Sequence, residues 1–183
     1  MSKVDLSIYN NSWYRPGGRL KRAIWFLINA CWLQSKWMPS SAIRKFWLRL
    51  FGAKLGKGVV IKPRVNIKYP WLLEIDDNSW IGEGVWIDNL ETVRIGKNVC
   101  ISQEAYLLCG NHDYSKKAFD LIVKGITIEN GAWIGARAIV CPGVECGNHA
   151  VLAVNSVATS DLEAYGVYQG NPAIKVKTRK IED

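Results

Sequence analysis

The sequence predicts an all-β solenoid: a parallel β-helix of about five coils, preceded by a helical segment and interrupted once by a loop. Three observations predict it. From Leu55 onward aliphatic residues recur every six positions. A small or β-branched residue usually stands four places after each of them, as at Val65, Val85, Ala105, Ala138 and Ser156. The rhythm stops between Leu107 and Ile128, and His112, one of only two histidines, stands in the gap. Such a period fits neither a helix nor simple strand alternation and marks a six-residue repeat.

The repeat runs Leu55, Ile61, Ile67, slips by two, and resumes at Ile75, Ile81, Ile87. A second slip leads to Ile95, Ile101, Leu107. Past the break it continues through Ile128, Ile134, Val140, Cys146, Leu152 and Ala158. Each hexad makes one short flat strand and one corner. The aliphatic side chain fills the interior, and Gly or Asn near the turn tolerates the corner backbone. Three hexads complete a triangular turn, so about fifteen give roughly five turns, stacked as parallel strands about 4.8 Å apart. Glycine often follows the aliphatic residue, at Gly56, Gly82, Gly96, Gly135 and Gly147. The histidine in the break sits on a loop over a rigid scaffold, where reactive groups are commonly displayed.

Residues 1–54 read differently. Residues 1–18 are polar and aromatic and end in the turn signal Pro16-Gly17-Gly18. A helix is expected from about Arg19 to Met38, stopped by Pro39. Ser40 or Ser41 can cap a second helix to about Phe51, with Ile43, Phe46, Trp47 and Leu50 on one face and Arg44, Lys45 and Arg49 elsewhere. Five of the nine tryptophans lie in these first fifty residues. Two roles suit the segment, and they are compatible. It can cap the open edge of the first coil, or it can meet a membrane interface through residues 1–52, with Trp at headgroup depth and Lys/Arg facing anionic lipid.

Length and composition narrow the classes. At 183 residues, 49% hydrophobic and 22% charged, the chain has room for one packed domain and a terminal extension. Its basicity is local. Residues 1–57 hold eleven Lys or Arg against one acid, Asp5, whereas residues 58–183 hold thirteen against fifteen acids. This argues against a whole-body nucleic-acid binder and for one basic surface. The five cysteines include no CxxC pair and read as reduced, packed thiols of a cytoplasmic protein. The apolar run over residues 23–33 is too short to span a bilayer and is a poor secretion signal. The expected location is therefore cytoplasmic, with peripheral contact at the inner membrane as the open addition.

Three further stretches carry a family likeness. They are L-L-C-G-N-H-D-Y-S-K-K-A-F-D-L from Leu107, the restart at Trp133-Ile134-Gly135, and Gly170-Asn171-Pro172-Ala173 before a basic-then-acidic tail over 178–183. Together with the repeat, they make residues 55–177 resemble the left-handed parallel β-helix of the hexapeptide-repeat acyltransferases. Within that group the chain looks closest to the sugar O-acetyltransferases of colanic-acid and exopolysaccharide biosynthesis.

The resemblance implies a reaction and a set of residues. An acetyl group would pass from acetyl-CoA to a sugar hydroxyl, and His112 would be the catalytic base. Imidazole suits this work because it gains and loses a proton near neutral pH. Asp113 or a backbone carbonyl would fix its tautomer. Asp88, Asn89 and Tyr114 are the acceptor-binding candidates. Coenzyme A would lie along the C-terminal coils, touching Trp133, Gly135, Ala136, Ala153, Val154, Thr159 and Lys177. Ala153-Val154-Asn155 replaces the family's usual Gly-Ala-Gly there. No metal is implied, and His149 reads as an ordinary corner. The family assembles as homotrimers with active sites between subunits, which would cover Trp86 and Trp133. A xenobiotic acetyltransferase or a non-catalytic scaffold of the same fold remain the alternatives.

Overall fold

A computed structural model describes residues 3–182. From Lys54 the chain winds as a parallel solenoid with three flat faces. The first face stacks Lys54–Leu55, Leu73–Ile75, Val93–Ile95, Ile126–Ile128 and Glu145–Cys146. The second stacks Val60–Ile61, Trp80–Ile81, Cys100–Ile101, Trp133–Ile134, Val151–Leu152 and Gly166–Gly170. The third stacks Asn66–Ile67, Trp86–Asp88, Tyr106–Leu108, Ile139–Val140 and Val157–Ala158. Five turns are complete, and Leu162 bridging Cys146 together with Gly166–Gly170 begins a sixth, one more than the repeat count predicts.

The six-residue aliphatics are the interior. Ile61, Ile81, Ile101, Ile134 and Leu152 stand in register on one face, and Ile67, Ile87, Leu107, Val140 and Ala158 on another, all of them buried. Burying one Ile side chain contributes about 1.5–3 kcal/mol relative to leaving it exposed. The glycine after the aliphatic serves close approach between coils. A Cβ on Gly135 would stand 2.6 Å from the Val154 nitrogen of the next coil.

The two-residue slips converge on one edge of the prism. Leu55, Ile75 and Ile95 are register partners spaced by twenty residues, whereas Ile128 and Cys146 are eighteen apart. The extra residues lie where the third face turns into the first: at Lys68–Leu72, at Asn89–Thr92 and, as the long insertion, after Leu108. That insertion is an antiparallel hairpin, Gly110–His112 with Leu121–Val123, in which His112 faces Leu121.

The N-terminal helices cover the open edge of the first coil. α1 spans Arg19–Ile28 and α2 spans Ser41–Leu50, the latter capped by Ser40 accepting from the Ile43 amide. Trp25 Nε1 donates to Ile67 O at 2.8 Å, Lys45 Nζ to Val59 O at 2.9 Å, and the Ile61 amide to Ser41 Oγ at 3.0 Å. Edge groups that would otherwise lack partners are thus satisfied by side chains.

Three expectations are corrected. α1 stops at Ile28 and ends in a π turn, Asn29–Leu33, five residues short of Met38. Asn29 is drawn inward to Asn66 and the Ile67 amide, and a π turn is the usual way a helix accommodates such an inward residue. In α2 three of the four stripe residues face outward: Ile43, Phe46 and Leu50 are 37, 59 and 61% exposed, Trp47 is half-buried beside Trp32, and Arg44 and Leu48 are fully buried. The coil edge presents the Ile61 carbonyl, and the Arg44 guanidinium donates to it and to the Met38 and Pro39 carbonyls of the chain before α2. An aliphatic side chain cannot do this. Finally, the coil does not run on to residue 177. Ala173–Thr178 folds back antiparallel on Gly166–Gly170, and Arg179 Nη1 ties the tail to Gly131 O at 2.9 Å.

Candidate active site

The insertion hairpin places His112 over the edge where the slips converge. Its Nδ1 lies 2.9 Å from the Phe119 carbonyl oxygen. A carbonyl only accepts, so Nδ1 carries the proton and Nε2 holds the free lone pair. The imidazole stacks on the Phe119 ring at 4.5 Å and 11°, and Tyr9 packs against it at 5.6 Å. Of the two groups expected to fix the tautomer, the backbone carbonyl does so. Asp113 instead accepts from the Ser115 amide and hydroxyl, which hold its carboxyl below the usual range.

A cavity of about 1110 Å³ opens beside the imidazole. Its floor comes from successive corners of the same edge, with Lys68 and Tyr69 from the first coil, Asp88 and Leu90 from the second, and Gly110 and Leu121 from the hairpin. Its outer wall is the N-terminal segment over residues 9–22, which includes the first turn of α1. That segment is held by Tyr14 Oη donating to Leu90 O at 2.6 Å and Trp71 Nε1 donating to Pro16 O, and just before it the Asp5 amide donates to Lys117 O. Burial, then the neighbouring Tyr69 and Asp88, pushes the Tyr14 phenol up, so it remains a donor.

The acceptor candidates separate. Asp88 lines the cavity and is almost buried, with Lys68 Nζ 2.8 Å from its Oδ1 but off the line of a well-directed hydrogen bond. Asn89 is fully buried and spends its amide on the Tyr69 backbone, donating at 2.6 Å and accepting at 3.0 Å, so it braces the corner. Tyr114 sits at the hairpin tip, 83% exposed and away from the cavity lining.

On the donor side, Gly135, Ala136, Ala153 and Val154 share the corner between the second and third faces, and Asn155 donates to Ala136 O at 3.0 Å. Trp133 borders that corner, 46% exposed, its indole donating to Ser102 Oγ. Thr159 stands at the next corner of the coil and Lys177 on the terminal hairpin, so neither joins this group. His149 is a corner residue with φ +58°, stacked on Tyr165. No group of three metal-ligating side chains occurs among the described residues.

Sequence reasoning missed the N-terminal segment as a wall of this cavity. The only local signal was the Pro16-Gly17-Gly18 turn, which reads as a boundary rather than as part of a site.

Comparison with known proteins bears on the fold and the family. No family model matches the chain. WcaF of Escherichia coli K12, named for colanic acid biosynthesis acetyltransferase activity, is 37% identical over 168 residues, 91% of each chain. The galactoside O-acetyltransferase of the same organism is 29% identical over 134 residues, 72% of this chain and 65% of its own. Among solved structures, a hexapeptide-repeat acetyltransferase from Vibrio cholerae complexed with acetyl coenzyme A superposes with a TM-score of 0.79 at 25% identity, covering 88% of both chains. A galactoside acetyltransferase in complex with coenzyme A gives 0.76 at 23% identity over 87% of this chain and 80% of that one. A solenoid interrupted by a histidine-bearing hairpin, matched almost end to end by WcaF, belongs to the hexapeptide-repeat acetyltransferases related to WcaF.

Proposed function

We propose that the chain transfers an acetyl group from acetyl-CoA to a hydroxyl of a sugar, in the synthesis of a surface or extracellular polysaccharide. The observation that carries this reading is the tautomer of His112, whose Nδ1–H is spent on Phe119 O beside a large cavity. The remaining nitrogen, Nε2, is then the base. It accepts the proton of the sugar hydroxyl as that oxygen attacks the thioester carbonyl. The tetrahedral intermediate collapses, the C–S bond breaks, and the coenzyme A thiolate takes the proton back from the imidazolium. Both substrates meet in one complex, so no acyl-enzyme forms. The identity to WcaF supports the polysaccharide setting, and the superposed acetyl-CoA complex supports the donor. His112→Ala is expected to lower the rate about 10²–10⁴-fold with labelled acetyl-CoA and a sugar acceptor. A rate near wild type would overturn the mechanism.

Asp88 is proposed to orient the acceptor, and Gly135, Ala136, Ala153 and Val154 to flank the pantetheine arm. A cytoplasmic homotrimer suits these roles. Trp80, Trp86 and Trp133 lie on the outer faces, 58, 43 and 46% exposed, and a neighbouring prism would cover them. No described helix is long and apolar enough to cross a membrane. Peripheral contact with anionic lipid is supported by the outward apolar stripes of both helices, Leu20, Ile24 and Leu27 on α1 and Ile43, Phe46 and Leu50 on α2, within a strongly basic segment.

A further inference from the structure

The cavity beside His112 has a charge that a neutral sugar does not require. Arg15, Arg19, Arg22 and Lys68 line it, and Asp88 is its single carboxylate, already paired with Lys68. None of the three arginines pairs with an acid among the described residues. Arg22 Nε is inaccessible to solvent and has no hydrogen-bond partner among the described residues. A guanidinium N–H withdrawn from water without a partner is costly.

The helix adds to the imbalance. α1 begins at this wall, with Gly17, Gly18 and Arg19 all lining the cavity. Its N-cap, Gly18, offers no side-chain acceptor, and its first turn contains no acid. The turn instead carries Arg19, Lys21 and Arg22 at the positive end of the helix dipole, the wrong sign for helix stability. Among the described residues only Lys21 finds compensation, over the Trp71 ring at 4.3 Å. The start of the helix is nevertheless fixed, because Gly17 has φ +130° and packs against Trp71, whose indole holds Pro16 O. A rigid helix N-terminus without a side-chain cap, with three arginines that pair with no carboxylate among the described residues, makes one cavity suited to an anion.

We infer that this cavity recognises a phosphorylated acceptor: a sugar bearing a phosphate or diphosphate ester, bound by Arg15, Arg19 and Arg22, with the hydroxyl to be acetylated turned to His112. This rests on the acetyltransfer reading above and narrows its acceptor. The coenzyme's own phosphates are a poor fit. The thioester must reach His112, and the nucleotide trails behind it by the whole pantetheine arm. The cavity volume of about 1110 Å³ exceeds what one monosaccharide fills. Arginine suits a phosphate because its planar fork donates two parallel hydrogen bonds to two oxygens.

The test uses the full-length protein with labelled acetyl-CoA at saturation and one sugar in four forms: the methyl glycoside, the 1-phosphate, the nucleoside diphosphate sugar and the prenyl diphosphate sugar. The phosphorylated forms are expected to exceed the glycoside in kcat/KM by roughly tenfold or more, chiefly through KM. Arg19→Gln and Arg22→Gln should bring that ratio toward one, and Arg15→Gln, at an exposed position, repeats the test without touching the helix. Comparison of the three esters tells a soluble nucleotide carrier from a lipid carrier. A ratio near one in wild type, or one unmoved by the arginine variants, overturns the proposal. If no form is acetylated, the acetyltransfer reading itself fails. Equilibrium binding of inorganic pyrophosphate then decides the anion site: binding weakened by Arg19→Gln and Arg22→Gln supports it, and absence of binding, or competition with acetyl-CoA alone, sinks it.

Discussion

His112 Nδ1 and the carbonyl oxygen of Phe119 stand 2.9 Å apart, and the two rings lie nearly parallel. Phe119 makes both contacts from a left-handed backbone, φ +53°, that bulky residues rarely adopt. One residue therefore supplies the acceptor that sets the tautomer and the surface that sets the ring plane. Phe119→Ala removes the stack and leaves the strain, whereas Phe119→Gly removes the stack and relieves about 1 kcal/mol of strain. Both variants are expected to lose about ten- to a hundredfold in kcat with little change in the KM for acetyl-CoA. Full activity in the glycine variant would mean that the carbonyl alone positions the base.

Gly135 is held small by the next coil. A methyl group there meets Val154 N at 2.6 Å and Ala153 C at 2.7 Å, both backbone atoms with no rotamer to yield. Gly135→Ala should destabilise by about 1–3 kcal/mol, read as a lower melting temperature. Because the same corner is proposed to flank the pantetheine arm, the KM for acetyl-CoA should rise in the protein that remains folded. A melting temperature equal to wild type would show that the coils can separate locally without cost.

The cysteines divide by burial. Cys109 and Cys146 are fully buried, and burial pushes both thiols up to about 12, whereas Cys31 is exposed. A raised thiol pKa leaves the neutral form dominant at every pH below it. At pH 8 the thiolate of either buried residue is on the order of one part in ten thousand. Iodoacetamide at pH 8 should modify Cys31 and leave Cys109 and Cys146 intact, as read by peptide mass spectrometry. Rapid modification of Cys146 would show that the last coils open.

What was legible in the sequence follows from what is local. The six-spaced aliphatics of the coil could be read because each hexad repeats the same local demand, and His112 stood out because it breaks that demand; buried Leu73, Ile126 and Leu162 lie outside that spacing and were not read. The slips were visible as pairs of extra residues. That all of them lie on one edge follows only once the coil is wound, since Lys68 and Asp88 come from successive turns. The N-terminal wall left no such trace. Tyr14 reaches Leu90 across 76 residues, and nothing beside either announces the partner. Apolar spacing pointed to the wrong face of α2, because a coil edge lined with carbonyls selects arginine over isoleucine.

That inverted helix leads to the last prediction. α1 and α2 each carry an outward apolar stripe, and Trp37 is 94% exposed, within a segment whose bases, Lys54 apart, pair with no carboxylate among the described residues. An anionic bilayer offers acyl chains to the first feature and headgroup charge to the second, the latter at roughly 1 kcal/mol per Lys or Arg near the surface. The full-length protein should float with vesicles containing phosphatidylglycerol and stay behind with vesicles of phosphatidylcholine alone. High salt should weaken the association, because the Debye length shrinks to about 3 Å at 1 M. Leu27→Glu with Phe46→Glu places two carboxylates on the stripes, away from the cavity, and should abolish flotation while acetylation of a soluble acceptor continues. Sedimentation of the same variant separates the competing account. If the double substitution leaves flotation intact, or instead dissociates an oligomer, the stripes face a neighbouring subunit and the membrane contact is wrong.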